Sequence, residues 1–397
     1  MAGLVPIIIG FGVNGWNVYR ALRREGIRPL VIDNDPDSIF WKCAGAAKFT
    51  YSRELSGPMI VDCLNSLADE GGDYVLISAL EDTVSTLNEH RNALRPNVRL
   101  LFPCRDTVRM LLDKKAFYKT ATSLNCTISP MYFLEQDDWL AVSWENETSF
   151  PCIVKTRTKM YVRGLAKAYL VANKAELVET FKTISLLEGV RPRDIVIQEW
   201  VPGPDDRVIF CMQYYCQSKP LISFVGRKIR QWRPQVGGTA SATAIDDPEA
   251  LTEATRFFQS VRMEGICSME FKRSSKNGRL YMIEPTACRA DYQEGVAVAN
   301  GYNIPFAAYA AAVGQLSYQP APTPNPLKWV YLGSDYMAAA QYVSEGKLSW
   351  SDWLKSLRGP KAFAIFAWED PRPFLELVRR KVIGRLIPWS GGSSKAS

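Results

Sequence analysis

Glu270 closes the apolar run 265–270, GICSME, and Glu284 closes the run 280–284, LYMIE. Between them Lys276, Asn277 and Gly278 signal a turn, so the stretch reads as a β-hairpin. Antiparallel pairing across that turn brings both carboxylates to one face. An acid at the end of an apolar strand is costly unless something positive meets it. Magnesium suits the place, since it takes carboxylate oxygens together with substrate phosphates; pairing with Arg273, Arg279 or Arg289 is the plainer structural reading. Upstream, Lys114 lies in LLDKK, 111–115, and Lys155 ends the apolar strand in SFPCIVK, 149–155. One such lysine is ordinarily a solvated charge, but two of them ahead of paired acids suit phosphate anchoring.

Three further stretches carry polar chemistry. Residues 157–167, RTKMYVRGLAK, are basic and contain one glycine. Residues 194–203, DIVIQEWVPG, read as a strand ending in a turn. The backbone there could meet an adenine edge and Asp205 or Asp206 a ribose, though taken alone the segment is a strand with a Pro-Gly turn. Residues 226–233, GRKIRQWR, form a dense basic stretch too short and isolated for a nucleic-acid element.

These residues need a scaffold, and the N-terminal part supplies a recognisable one. A β-branched run at 5–9 leads through the glycines Gly10, Gly12 and Gly15 into a helix and a second strand, 29–33, which is a βαβ opening. Strands at 74–78 and 99–102, separated by helical periodicity at 59–68 and 83–94, extend it to a parallel sheet. The spacing GxGxxG at 10–15 with Asp33 downstream also fits a dinucleotide fingerprint, so a nicotinamide or flavin oxidoreductase is the rival reading. That reading leaves the glutamate hairpin without a role.

Bulk properties set the frame. At 397 residues the chain suggests about two or three domains of ordinary globular composition. Its net charge of +7 is spread among alternating signs, which excludes a nucleic-acid footprint and suits a surface that steers phosphates. Nine cysteines without a CxxC pair, and a single histidine, His90, support neither a disulfide framework nor a zinc site. The first residues read as a strand rather than a signal peptide, and no apolar run is long enough to cross a bilayer; a reducing cytoplasm is the expected compartment.

The ordered set DK, PCIVK, EWVPGxD, an acid in MEF, then IEPTxxR resembles the ATP-grasp superfamily, specifically its carboxylate-amine ligases. The resemblance spans about Lys114 to Arg289. It implies an α/β chain with a Rossmann-like pre-ATP-grasp domain, 1–104, a two-subdomain α+β ATP-grasp domain, 105–318, and a small C-terminal helical region, 319–397. The cofactors implied are ATP and magnesium, taken as a pair of ions. Lys114 and Lys155 would contact the α- and β-phosphates, Glu199 with the backbone of Val201 the adenine, and Asp206, or Asp205, the ribose. Glu270 and Glu284 would hold the metal. Arg289 would bind the reacting carboxylate or its acyl phosphate, and Lys228 and Arg230 stand beside it as catalytic candidates.

In this chain Thr286 stands where the family usually has asparagine, and 157–167 is poorer in Gly and Ser than the usual phosphate-covering loop, with the lid expected at 157–164. The segment with Arg227, Lys228, Arg230, Gly237 and Gly238 also resembles a subgroup of such ligases found with bacterial surface-polysaccharide genes. It points to an amino acid as the amine and a sugar acid as the carboxylate. A nonenzymatic ATP-binding module would keep the lysines without needing paired metal carboxylates, and an ATP-grasp kinase would use the same metals to phosphorylate a hydroxyl.

Beyond the hairpin, an Ala-rich helix is expected at 305–313, then a Pro-rich linker, 318–326. Helical patterns follow at 336–342 and 351–357, with a basic amphipathic helix packed on the body at 374–385 and a disordered tail at 390–397.

Overall fold

In a computed structural model, residues 3–44, 49–139 and 148–386 are described. β1 (Val5–Ile9), α1 (Val13–Arg24), β2 (Leu30–Asp33), β3 (Phe49–Tyr51), α2 (Pro58–Asp69), β4 (Tyr74–Ser78), α3 (Glu81–Glu89) and β5 (Val98–Leu100) come first. Their strands form one sheet in the order β3-β2-β1-β4-β5, and each pair is parallel. Ile7, Ile8 and Ile9 are fully buried, as continuous apolar strands must be when both faces of a sheet are covered. The turn after β1 explains two of its three glycines, Gly10 and Gly15, without a ligand. Gly10 has φ +89, and a Cβ on Gly15 would lie 1.9 Å from the Gly10 carbonyl oxygen, so α1 can leave the sheet there only through glycine.

α4 (Arg105–Leu112) and α5 (Lys114–Ser123) lead to a second sheet built from β6 (Met131–Phe133), β7 (Cys152–Thr156), β8 (Ala168–Val171) and β9 (Ile195–Glu199). Its order is β6-β9-β7-β8, with antiparallel pairing throughout. α6 (Lys174–Ser185) turns Leu177, Phe181 and Ile184 into a core with Cys152, Val154 and Ile197.

The rest of the chain builds around one large sheet. β10 (Val208–Cys216), β11 (Lys219–Trp232), β12 (Gly238–Ala244), α7 (Pro248–Ser260), β13 (Gly265–Arg273) and β14 (Leu280–Ala287) are followed by α8 (Tyr292–Ala299) and α9 (Ile304–Ala312). β15 (Lys328–Val330), α10 (Leu332–Ser344), α11 (Trp350–Ser356), β16 (Lys361–Phe363) and α12 (Arg372–Leu386) complete it. The sheet runs β14-β13-β10-β11-β12-β15-β16.

Two strands of this sheet come from the region expected to be purely helical. Runs of three residues are too short to show a period of two, and β15 and β16 exist because β12 offers an edge for them to extend. The same region shares a core with the first helix: Trp16, Phe210, Trp329 and Ile365 fall in one buried cluster, and the Trp16 indole donates to the Ile365 carbonyl at 3.0 Å. The tail expected at 390–397 lies outside the described residues. Among those described, no helix is long and apolar enough to cross a membrane, and all nine cysteines are free thiols, six of them buried.

Candidate active site

The hairpin forms as its turn signal implies, with β13 and β14 antiparallel and Glu270 directly opposite Glu284. The second strand runs three residues past Glu284, because Cys267, Ser268 and Met269 continue the ladder with Ala287, Thr286 and Pro285. Lysines surround the pair. The Lys114 and Lys155 Nζ atoms each lie 3.9 Å from Glu284 Oε2, and Lys228 Nζ lies 2.6 Å from Glu270 Oε2. Burial alone would raise the Glu284 carboxyl, but Lys114, Lys155, Lys167 and Lys228 outweigh it and hold the group far below the usual carboxylate range. Burial acts oppositely on Lys155, pulling its ammonium down to about 8 against the attraction of Glu284.

Lys114 and Lys155 arrive from different elements. Asp113 caps α5, accepting from the Lys115 and Ala116 amides, and so fixes where Lys114 leaves the helix. The Asp113 carboxylate also takes the Arg157 guanidinium, with Nε at 2.9 Å and Nη2 at 2.5 Å. The Lys114 amide donates to the Arg157 carbonyl at 3.0 Å. Thus the base of the 157–167 loop, between β7 and β8, is tied to the helix that carries one phosphate candidate. Tyr161, further along that loop, is strongly exposed.

At the end of β9 the Glu199 carboxylate accepts from the Tyr132 hydroxyl at 2.9 Å, and the Glu199 carbonyl accepts from Ser129 Oγ at 2.8 Å. Trp200 donates its amide to Pro151. The Val201 amide has no hydrogen-bond partner among the described residues, so one backbone donor stands open at the place expected to meet an adenine edge.

Three expectations are corrected. Asp205 does not reach toward a ribose: it is buried, and its carboxylate accepts from the Gln231 amide at 2.9 Å, the Gln231 side chain at 3.0 Å, the Gln235 amide at 2.9 Å and the Tyr342 hydroxyl at 2.7 Å. Asp206 is left as the ribose candidate, half exposed and 4.0 Å from Arg227. Arg230 is turned away from the hairpin acids. Its Nε and Nη2 bind the fully buried Asp335 at 2.7 and 2.9 Å, because an irregularity in β11 between Lys228 and Arg230 breaks their alternation. Asp33, the acid of the dinucleotide reading, accepts from the Phe11 amide, and from the Asp35 amide at 2.7 Å, so it closes its own turn.

The remaining candidates converge on the hairpin. Lys228, 3% exposed, bridges Glu270 and the Gln231 side chain, the latter at 2.9 Å. Thr286 lies beside Asp291, the acid that caps α8, and favours its carboxylate against the burial that raises it. Arg289 follows β14 and meets Glu81 of α3 at 3.2 Å, which sets it between the large sheet and the first sheet. Its Nε is buried without a partner in the described structure.

Sequence reasoning misses Glu81, Lys167, Gln293 and Lys272. Gln293 accepts from Ser268 at 2.5 Å and approaches Glu270 at 3.5 Å. Lys167 lies in the basic segment, where its charge is a visible signal; Glu81 has none. Among the described residues no three His, Cys, Asp or Glu side chains gather as a metal site. Glu270 and Glu284 therefore offer two carboxylates and no third ligand of that kind, a donor set that fits a hard cation arriving with phosphate oxygens of its own.

Such an architecture is the ATP-grasp fold. The chain is similar to the N5-carboxyaminoimidazole synthetase of Staphylococcus aureus complexed with ADP, with a TM-score of 0.65 at 18% identity over 87% of this chain and 86% of that one. It is also similar to the L-amino acid ligase of Bacillus licheniformis, with a TM-score of 0.64 at 13% identity over 83% and 79% of the two chains. A third likeness is to the biotin carboxylase domain of the Hydrogenobacter thermophilus 2-oxoglutarate carboxylase in complex with MgADP and bicarbonate, with a TM-score of 0.63 at 15% identity over 81% and 73%. No protein-family model and no curated protein sequence matches the chain. At these identities the likeness carries the fold.

Proposed function

We propose that the chain is an ATP-dependent ligase that joins a carboxylate to an amine and releases ADP and phosphate. The observation that carries this reading is the pairing of Glu270 with Glu284 inside a ring of lysines drawn from α5, β7 and β11. Phosphoryl transfer to a carboxylate is obstructed chiefly by negative charge meeting negative charge, and this site is built to relieve it.

Lys114 and Lys155 would bind the nucleotide phosphates, the Val201 amide the base, and Asp206 the sugar. Glu270 and Glu284 would hold magnesium, which when bound with the phosphates supplies charge neutralisation and template geometry. Arg289 would take the substrate carboxylate or the acyl phosphate made from it, with Lys228 holding Glu270 in place. Loop 157–164, anchored through Arg157, would cover the intermediate against water. The ADP and MgADP complexes among the solved structures of this fold support the nucleotide, and the amino acid ligase supports the reaction class. An amino acid as amine and a sugar acid as carboxylate is our reading of the substrates, from the 226–238 segment.

ATP with magnesium is expected to raise the melting temperature by an amount corresponding to a few kcal/mol at ligand far above its dissociation constant, whereas NADH and FAD leave it unchanged. Magnesium without nucleotide is expected to do little, since two carboxylates fill only a small part of its coordination shell. Hydroxylamine then tests the chemistry. With the correct carboxylate, found by screening uronic acids, sugar-nucleotide acids and amino acids for carboxylate-dependent ADP release, it should trap the acyl phosphate as a hydroxamate. ADP release that yields a stable phosphorylated alcohol and no hydroxamate from any productive acceptor would replace the ligase by a kinase.

A further inference from the structure

Lys272 lies two residues beyond Glu270 on β13, so the alternation of a strand sets both on the same face of the sheet. It is 5% exposed, and its Nζ sits 3.4 Å from the centroid of the Trp200 ring. Lys114 and Lys155 are matched to Glu284, Lys228 to Glu270 and Arg289 to Glu81. The Lys272 ammonium, by contrast, has no ion pair or hydrogen bond among the described residues. The acids whose charge reaches it are Asp205 and Glu270. Both are already held, Asp205 by Gln231, Gln235 and Tyr342, and Glu270 by Lys228.

An aromatic face attracts an ammonium but accepts none of its three N–H bonds in the way an oxygen does. A nearly buried ammonium left in that state is costly, and a hydrogen-bond acceptor supplied from outside the chain would relieve it. Where that acceptor would come from follows from position. Trp200 sits between Glu199 and Val201, at the strand end with the open amide, whereas Glu270, Glu284 and Lys155 mark the phosphate end. A nucleotide laid between those ends carries its sugar across Lys272.

We propose that Lys272 reads the ribose of the bound nucleotide, donating from its ammonium to a ribose hydroxyl while the Trp200 ring holds it in place. The inference rests on the ATP reading above and assigns to that site a selectivity for ribonucleotides over deoxyribonucleotides. It is distinct from Asp206, which is an exposed acid on the other side of the hinge turn in sequence and would act as an acceptor.

The test is calorimetric binding of ATP, 2′-deoxy-ATP and 3′-deoxy-ATP, each with magnesium, to the full chain and to Lys272→Met. The wild type should bind ATP roughly tenfold or more tighter than at least one deoxy analogue, the scale of a lost hydrogen bond to a charged donor. In Lys272→Met, ATP should fall to the affinity of that analogue while the analogue itself is little changed. Lys272→Arg, which keeps a charged donor, should retain part of the preference. A lysine that merely packs on Trp200 would alter the melting temperature and leave the ratio of affinities untouched, which would overturn the proposal. So would a wild type that binds all three nucleotides equally, a measurement independent of how the variants fold. A wild type that binds ATP tightly without discrimination sinks the ribose contact and leaves the ligase reading standing; one that binds no ATP removes both.

Discussion

Glu284→Gln should lower kcat by about a thousandfold or more while the protein stays folded and still binds ATP. The expected loss is several kcal/mol of transition-state stabilisation, and each 1.4 kcal/mol is about tenfold in rate. The resting site explains why binding and turnover should separate. Glu284 is the counter-charge for Lys114 and Lys155, and four lysines together hold it ionised against its burial. With glutamine in its place those lysines lose their partner but not their charge, so they remain free to meet phosphate oxygens. Ground-state binding survives, and the carboxylate that positions the metal is gone. Glu270→Gln should be milder, because Lys228 sits against that acid and Gln293 lies 3.5 Å away to help order its replacement. Steady-state kinetics on both variants, with a thermal scan to confirm the fold, gives the answer. Near-normal rates in both would make the hairpin acids structural.

The second large effect concerns stability. Asp335 is fully buried and accepts from Arg230 Nε at 2.7 Å, Arg230 Nη2 at 2.9 Å, Ser241 Oγ at 2.5 Å and the Trp353 indole at 2.8 Å. Asp335→Ala would leave the Arg230 guanidinium charged, nearly buried and without its anion. Losing one partner of such a pair costs about 3–5 kcal/mol, whereas replacing both by apolar groups of similar size is often neutral or better. Asp335→Ala is therefore expected to shift the urea midpoint sharply downward, and Arg230→Met combined with Asp335→Leu to recover most of the loss. Turnover adds a second readout. Arg230 is committed to Asp335, so the recovered double variant should keep near wild-type kcat. A double variant that is stable but inactive would return Arg230 to the catalytic set.

The contrast between Lys228 and Arg230 marks how far the sequence reaches. Both belong to one basic stretch with one prospective role, and nothing local distinguishes them. The irregularity in β11 sends Lys228 to Glu270 and Arg230 to Asp335, an acid 105 residues further on. Asp205 and Asp206 divide similarly: adjacent in the chain, one is enclosed by Gln231, Gln235 and Tyr342 and the other is half exposed. Asp33 has the spacing of a ribose acid relative to the glycines, but spacing does not reveal that the Phe11 amide already occupies it.

What could be determined from sequence alone was what neighbouring residues enforce on each other. The β-branched run and glycine turn specify the opening βαβ unit, and the Lys276–Gly278 turn specifies the antiparallel β13–β14 hairpin, in which a register shift between Glu270 and Phe271 then sets Glu270 opposite Glu284. Both follow from local sterics and hydrogen bonding over a few residues, which is why they are legible there. The tertiary structure alone decided which charges meet: Arg289 with Glu81, Arg230 with Asp335, Lys272 with the Trp200 ring, and β15 and β16 with the edge of the large sheet. A charged side chain carries the same chemistry wherever it stands, and whether it anchors the fold or is left for a ligand depends on the partner that packing brings within a few ångströms.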